Sequence, residues 1–339
     1  MRGFSAPYRE MMDGTKMRTP ADIEGAVRAV KAEISKSIVG YEEQVEDFMI
    51  CLLTEGHLLI EGVPGVAKTT LSKALASVCG LSYRRIQFTQ DLLPADITGH
   101  YFFNQRNSEF EVRKGPLFAD LVLADEINRA PPKTQSALLE AMQERQVTIE
   151  GNTFELPNPF TVIATLNPIE TEGVYPLPEA QIDRFMVKSK MDYLTKEKEI
   201  EILKLKSAPE SQPQMVLARD AILEMRADIG GVHTHPSILD YIEGLSRSTR
   251  ELDELELGLS PRGAIHLLHT SRALAYLHGR SYVIPDDVKF MAHKVIDHRL
   301  ILSPEAELGG MTRGGITESI LASVPVPKGE FRSSEPRQE

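Results

Sequence analysis

Residues 62–69 form a glycine-rich segment that follows the apolar run 58–60 and precedes a stretch typical of a helix. A strand, a glycine-rich loop and a helix in this order are the layout of a phosphate-binding loop. The backbone N–H groups of such a loop and the positive end of its helix bind anions. Lys68 would then reach the β- and γ-phosphates of a nucleotide, and the Thr69 hydroxyl would hold Mg²⁺. The alternative is an ordinary glycine-rich turn between a strand and a helix.

One position departs from the usual pattern of these loops. Ala67 stands directly before Lys68, where a glycine is normal. Alanine disfavours positive φ, so we expect a right-handed conformation at this position. The residues of this segment that we expect to bind a nucleotide are Gly62, Val63, Pro64, Gly65, Val66, Ala67, Lys68, Thr69 and Thr70.

Two adjacent carboxylates, Asp125 and Glu126, follow the continuous apolar run 121–124. Such a run is typical of a buried parallel strand. Nucleotide sites in open α/β sheets lie beyond the carboxyl ends of the strands. We therefore expect Asp125 to hold Mg²⁺ through water and Glu126 to orient and polarise the attacking water. The alternative is that both carboxylates cap the following turn.

Two polar residues farther along the chain are further candidates. Asn167 follows the apolar run 160–165, where it could hydrogen-bond the γ-phosphate or the attacking water, although asparagine before proline is also an ordinary turn signal. Arg184 is a candidate for stabilising charge during phosphoryl transfer, supplied to the site of a neighbouring subunit. Its alternative is a local ion pair with Asp183 or Glu179.

Arg262 lies at a predicted helix start, with Ser260 as the N-cap and Pro261 at the first helical position. A cation at the positive end of a helix dipole is electrostatically disfavoured. A bound phosphate would supply the missing negative charge, so Arg262 is a candidate phosphate ligand.

The spacing of the nine histidines does not predict a structural metal site. His233 with His235 and His266 with His269 are the nearest approaches to a metal site. Neither pair has the further histidine, cysteine or carboxylate at the spacing that a zinc site needs.

Composition narrows the functional class. The chain has 339 residues, of which 42% are hydrophobic, and a formal net charge of -11. That charge argues against broad nucleic-acid binding, which needs clustered Lys and Arg. No run approaches the ~18–20 apolar residues of a membrane span, and the N-terminus lacks the apolar block of a signal peptide. We therefore predict a soluble, cytoplasmic protein without membrane insertion.

The pattern of the chain predicts an α/β nucleotide-binding domain followed by an all-α domain. Apolar runs predict strands at 58–60, 121–124 and 160–165, composition and bounding residues predict another at 83–88, and two hairpins have their tips at 104–108 and 150–152. From Leu194 onward helical periodicity replaces the strands. The predicted bounds are a loose N-terminal tail at 1–19, the α/β domain at 20–193, a linker at 194–215, the helical domain at 216–325 and a disordered C-terminal tail at 326–339.

Together these residues resemble the AAA+ ATPases, and within them the MoxR family. The resemblance extends from about residue 20 to 325 and is most specific at 62–69, 121–133, 165–168 and 177–185. It implies a P-loop AAA+ core, with a parallel sheet flanked by helices, followed by an all-α lid domain. By resemblance, Lys68 and Thr69 belong to Walker A, Asp125 and Glu126 to Walker B, Asn167 is sensor 1, Arg184 is the arginine finger and Arg262 is sensor 2.

The resemblance also implies neighbours of the nucleotide. Val39 and Gly40 resemble the segment that lines the adenine pocket, with Tyr41 where the family more often has glutamine. The hairpin at 99–114 resembles the helix-2 insert of this clade, and the hairpin around Gly151 resembles its pre-sensor-1 hairpin. Both would face the central pore of a ring. Arg129 has two open interpretations, one structural and one across the subunit interface.

The function that the resemblance implies is that of a chaperone-like remodeller that hydrolyses ATP with Mg²⁺. It implies a homo-oligomeric ring, usually a hexamer, and a von Willebrand A domain partner with a client enzyme complex. Two alternatives stay open. A nucleic-acid motor is disfavoured by the mixed to acidic charge of the hairpins, whereas the ATPase subunit of a metal chelatase differs little in sequence pattern.

Overall fold

The computed structural model describes residues 19–169, 173–207 and 211–332. They form two compact units, one of residues 28–222 and one of residues 19–27 with 223–332. The predicted N-terminal tail lies outside the described residues except for Thr19, and so does the predicted C-terminal tail beyond residue 332. Within the described ranges, no helix is long and apolar enough to cross a membrane.

A parallel sheet is the centre of the first unit. The strands are β1 (Leu58–Gly62), β2 (Tyr83–Gln87), β3 (Gly99–Asn104), β4 (Glu109–Lys114), β5 (Leu121–Asp125), β6 (Gln146–Ile149), β7 (Asn152–Glu155), β8 (Thr161–Leu166) and β9 (Val187–Met191). Five of them pair in the order β2-β5-β8-β1-β9, all parallel. Strands β1, β5 and β8 are almost wholly buried, as continuous apolar runs in parallel sheets are. The predicted α/β class is confirmed, whereas β9 was missed because two lysines interrupt its apolar run.

Eight helices precede, separate or follow these strands along the described residues of the chain, as far as residue 230. They are α1 (Pro20–Ile34), α2 (Glu42–Leu53), α3 (Lys68–Val78), α4 (Pro94–Thr98), α5 (Pro132–Glu144), α6 (Glu179–Ile182), α7 (Lys196–Ser207) and α8 (Arg219–Gly230). The boundary between the two units falls within α1 and within α8. The segment predicted as a linker, 194–215, contains the three-turn helix α7 and groups with the first unit. No residue of α7 is fully buried, and its apolar residues are either exposed (Ile200 and Leu203) or half-buried (Ile202 and Leu205).

The second unit is mainly helical. Its further elements are α9 (Pro236–Glu251), β10 (Leu255–Leu257), α10 (Pro261–Leu277), α11 (Pro285–Ile296), β11 (Ile301–Leu302), α12 (Pro304–Leu308) and α13 (Arg313–Ser323). The prediction that strands end at Leu194 is wrong at one place, because β10 and β11 form a short antiparallel pair. Strands of two or three residues are too short to show an alternating period. The predicted start of α10 is confirmed, since the Ser260 hydroxyl accepts a hydrogen bond from the Gly263 N–H at 3.1 Å.

Two antiparallel hairpins, β3–β4 and β6–β7, lie outside the parallel sheet. The first is narrow at its base, where a Cβ on Gly115 would overlap the Ile97 carbonyl oxygen. The hairpins are joined at two points. The Asn152 Nδ2 donates a hydrogen bond to the Tyr101 hydroxyl at 2.9 Å, and the Lys114 ammonium lies 4.7 Å from the ring centre of Phe118, which packs edge-on against Phe154.

The loop between β1 and α3 contains two residues with positive φ. Gly65 has φ +84° and Ala67 has φ +60°, in the left-handed region. The expectation of a right-handed Ala67 is therefore wrong. The loop turns so tightly into α3 that the N-cap position must be left-handed, and the alanine methyl group costs roughly 1–2 kcal/mol there.

We expect Ala67→Gly to stabilise the protein by about 1 kcal/mol, because the left-handed penalty is removed and glycine loses slightly more chain entropy on folding. Gly65→Ala is the matched control in the same loop, where an added Cβ meets no atom within 4 Å and the effect is on the backbone alone. It should destabilise the protein. Urea unfolding of the three proteins measures both changes, and a lower midpoint for Ala67→Gly would contradict the interpretation.

Candidate functional site

The glycine-rich loop joins the carboxyl end of β1 to the first turn of α3. Gly62 ends β1 beside the neighbouring strand, where a Cβ would lie 2.5 Å from the Met191 carbonyl oxygen. Val63 is half-buried, and Pro64 and Gly65 are exposed at the tip. The side chain of Lys68 is buried, and its Nζ donates a hydrogen bond to the Gly62 carbonyl at 2.6 Å. The loop therefore encloses the Lys68 ammonium, which is bound by a carbonyl group of the loop's own backbone.

Thr69 and Asp125 meet at the edge of this loop. The Thr69 Oγ1 lies 3.4 Å from the Asp125 Oδ2. The other carboxylate oxygen, Oδ1, accepts a hydrogen bond from the Thr165 hydroxyl at 2.7 Å. A hydroxyl and a carboxylate oxygen are the hard oxygen ligands that Mg²⁺ prefers, usually with several waters and one or two carboxylates. The pair fits that ion, although the described residues contain no cluster of three or more His, Cys, Asp or Glu that could hold a metal.

Arg85 of β2 contacts the same carboxylate. Its Nε and Nη2 donate hydrogen bonds to the Asp125 Oδ2 at 2.9 and 2.7 Å. Strand β2 pairs with β5, and Gln87 lies opposite Asp125 in that register. Because side chains alternate along a strand, Arg85 and Gln87 share the face that turns toward the acidic pair. Neither residue was predicted from the sequence, because the only signal would be this alternation combined with the strand order.

Glu126 sits directly after β5 with a left-handed backbone, φ +56°. Its N–H donates to the Thr165 hydroxyl at 2.8 Å. The carboxylate Oε2 accepts from the Gln87 Nε2 at 2.7 Å and from the Arg129 Nη1 at 3.1 Å. Strain of this kind clusters at functional sites, where the surrounding structure imposes it. The side chain is thereby fixed between β2 and the turn that follows β5.

Asn167 and Arg184 occupy different surroundings. Asn167 follows β8 and is buried, and its Oδ1 accepts a hydrogen bond from the Ile169 N–H at 3.2 Å. Both the turn and the end-of-strand position expected from the sequence are therefore present. Arg184 lies after α6 and donates from Nη1 to the Leu139 carbonyl oxygen at 2.8 Å. Arg262 is an exposed residue of α10 in the second unit, and its contact with a phosphate stays a prediction.

A cavity of about 180 Å³ adjoins the loop. Val39 and Tyr41 line it together with Ala67, and Thr70 of α3 contributes from the other side. Gly40 turns the chain here with φ +77°. Burial raises the pKa of the Tyr41 hydroxyl, which donates to the Asp192 carbonyl at 3.1 Å. The tyrosine is thus anchored to the end of β9.

Several cavity residues were not predicted from the sequence. Tyr193 and Leu194 follow β9, and Ile202 and Leu205 lie on α7. They fall at the end of the predicted α/β domain and in the segment predicted as a linker. No local pattern marks them, because only the packing of α7 beside the loop brings them to the cavity.

Comparisons with known proteins agree with this arrangement. Residues 57–187 match the ATPase family associated with various cellular activities, and residues 247–320 match the AAA lid domain. The uncharacterised protein YeaC of Bacillus subtilis is 45% identical, with 87% of this chain and 92% of that protein covered. The chaperone MoxR1 of Mycobacterium tuberculosis is 40% identical, with 96% and 89% covered.

A solved structure has the same fold. The crystal structure of a Cytophaga hutchinsonii protein assigned as an ATPase is 42% identical, has a TM-score of 0.85, and is matched over 91% of this chain and 97% of its own. Identity of this level over nearly the full length, together with the family and lid matches, leaves one assignment. The chain belongs to the MoxR family of AAA+ ATPases.

Proposed function

We propose that this protein is an ATP-hydrolysing, ring-forming ATPase that remodels partner proteins in the cytoplasm, where ATP is supplied. The observation that carries the proposal is the convergence of Thr69, Asp125 and Glu126 beyond the carboxyl ends of β1 and β5. This is the place where open α/β sheets bind nucleotides. The loop residues 62–70, with Val39 and Gly40 beside the cavity, would hold the nucleotide.

The residues divide the work of phosphoryl transfer. Lys68 supplies a buried cation to the β- and γ-phosphates, and Thr69 and Asp125 would hold Mg²⁺. When bound, Mg²⁺ neutralises charge on the phosphate oxygens. Both donors to Glu126 reach Oε2, so Oε1 is the oxygen that would accept the proton of the attacking water. Asn167 would orient that water or the γ-phosphate.

Two arginines complete the proposed site. Arg184 would stabilise the transition state in the site of the adjacent subunit, an effect worth roughly 10³–10⁵ in rate where an arginine acts in this way. Arg262 would tie the phosphates to the second unit, so that hydrolysis moves that unit. Such a shared site requires a homo-oligomer, and we propose a hexamer.

The partner is proposed to be a protein. The relative from Mycobacterium tuberculosis is named a chaperone. In this chain the hairpin β3–β4 carries exposed Phe103 and Phe110, stacked edge-on with ring centres 5.3 Å apart. Charge on this hairpin is mixed, with Glu109 and Glu111 on either side of Phe110 and Arg106 near the tip, so it is not the continuous basic groove that binds a nucleic-acid backbone. We extend the proposal to a von Willebrand A domain partner and a client enzyme complex, with a metal-chelatase ATPase subunit as the alternative.

Glu126→Gln should bind ATP and lower its hydrolysis about 10²-fold or more, because the general base is lost while the loop is intact. Glu140→Gln, on the exposed face of α5, is the matched control and should behave as wild type. Fluorescent-nucleotide binding and phosphate release measure the two steps separately. Hydrolysis at the wild-type rate by Glu126→Gln would refute the assignment of the base.

The same variant tests the partner class. Glu126→Gln isolated from its native host with ATP should retain a von Willebrand A domain protein or a client enzyme subunit. Retention of a metal-chelatase complex instead would favour the chelatase alternative. Nucleic acid retained through moderate salt, with no protein, would contradict the remodeller.

Action of Arg184 across the subunit interface has its own test. Arg184→Ala and Lys68→Ala proteins should each be inactive, and a mixture should recover part of the ATPase activity, because an intact loop then faces an intact arginine. Co-purification of differently tagged Arg184→Ala and Lys68→Ala subunits verifies that mixed rings have formed. If verified mixed rings stay inactive, Arg184 acts within its own subunit, as its bond to the Leu139 carbonyl would then suggest.

A further inference from the structure

Asp125 is the most heavily bonded carboxylate of the site. Its Oδ1 is taken by the Thr165 hydroxyl, from the interior of the sheet. Its Oδ2 faces Thr69 at 3.4 Å and accepts both N–H groups of Arg85. The oxygen that lies on the Thr69 side is therefore the oxygen that the guanidinium occupies.

Arg85 and Mg²⁺ would compete for the Asp125 Oδ2. A carboxylate has about four lone-pair positions in all. Two arginine donors on Oδ2 and one hydroxyl on Oδ1 use three of them. Mg²⁺, or a water bound to it, approaching from Thr69 would need the same oxygen and would lie beside a fixed positive charge. Arg85 and Mg²⁺ therefore oppose each other both sterically and electrostatically.

Arg85 is placed so that it can leave. Strand β2 is the edge strand of the parallel sheet, and 45% of the arginine side chain is exposed, compared with 10% for Asp125. Because the guanidinium is partly exposed, it regains water on release, which lowers the free-energy cost of breaking this pair. Departure of the arginine requires rotation of its own side chain and no rearrangement of the sheet.

We propose that Arg85 is a positioning residue that competes with Mg²⁺ for the Asp125 carboxylate and thereby sets the Mg²⁺ concentration at which the loop binds nucleotide. The inference rests on the proposed nucleotide site. Without nucleotide, Arg85 keeps the Asp125 carboxylate oriented toward Thr69 and balances its negative charge. With nucleotide, the guanidinium leaves Oδ2, and Asp125 could then hold Mg²⁺ together with Thr69.

The test is an equilibrium titration with a fluorescent ADP analogue, in which the Mg²⁺ concentration for half-maximal binding is measured. Arg85→Gln removes the charge and keeps most of the side-chain length. It should lower the midpoint roughly tenfold, as expected for the loss of a charge-assisted hydrogen-bonded pair. Arg85→Lys keeps the charge with fewer donors, so its midpoint should lie between those of wild type and Arg85→Gln.

Arg84→Gln is the matched control. Arg84 is the preceding residue of β2, is exposed, and points to the opposite face of the strand, so the same charge is removed without touching Asp125. Its midpoint should equal that of wild type. Direct Mn²⁺ binding by electron paramagnetic resonance gives a readout without nucleotide hydrolysis, and thermal unfolding confirms that each variant is folded.

The outcomes separate the two proposals. If folded Arg85→Gln has the wild-type midpoint, or a higher one, competition by Arg85 is refuted while the nucleotide site stands. If Arg84→Gln shifts the midpoint equally, the shift comes from the change in net charge and not from the Arg85–Asp125 contact, and the inference fails. If wild type binds no nucleotide at any Mg²⁺ concentration, the proposed function itself is refuted.

Discussion

The Thr165 hydroxyl connects the strands that build the site. It donates to the Asp125 Oδ1 and accepts from the Glu126 N–H, so one side chain of β8 fixes two consecutive acidic residues at the end of β5. The group is buried completely. A hydroxyl can donate one hydrogen bond and accept others, which is what this position requires. Valine, its closest shape match, would leave a buried N–H and a carboxylate oxygen without partners, at the cost that unpaired polar groups carry.

Local motifs predicted the parts of the site that lie within one segment. The glycine-rich loop, the acidic pair after an apolar run and the helix start at Ser260 each depend on neighbouring residues, and the sequence contains all of them. The parallel sheet was also predictable, because its central strands are continuous apolar runs. The motifs were predictable because they depend on neighbouring residues, and the strands because burial on both faces requires continuous apolar sequence.

The residues that the sequence did not reveal depend on which strands are neighbours. Arg85 and Gln87 contact the acidic pair only because β2 pairs with β5 in a register that places Gln87 opposite Asp125. Tyr193 and Leu205 line the cavity only because the end of β9 and helix α7 pack beside the loop. Ala67 was mispredicted for a different reason. Intrinsic preference gave a right-handed residue, and the closure of the loop overrode it.

The two hairpins beside the sheet are attached to each other at separate places along their length, by the Asn152–Tyr101 hydrogen bond and by Lys114 against Phe118 and Phe154. With one attachment, the hairpins could rotate about it, whereas two attachments restrict both the distance and the angle between the hairpins. These two attachments fix the orientation of one hairpin relative to the other. One hairpin, β6–β7, leads through residues 156–160 into β8, which Asn167 follows, and the other hairpin carries Phe103 and Phe110. The orientation of the exposed aromatic pair is therefore set by the hairpin that leads into the strand bearing Thr165.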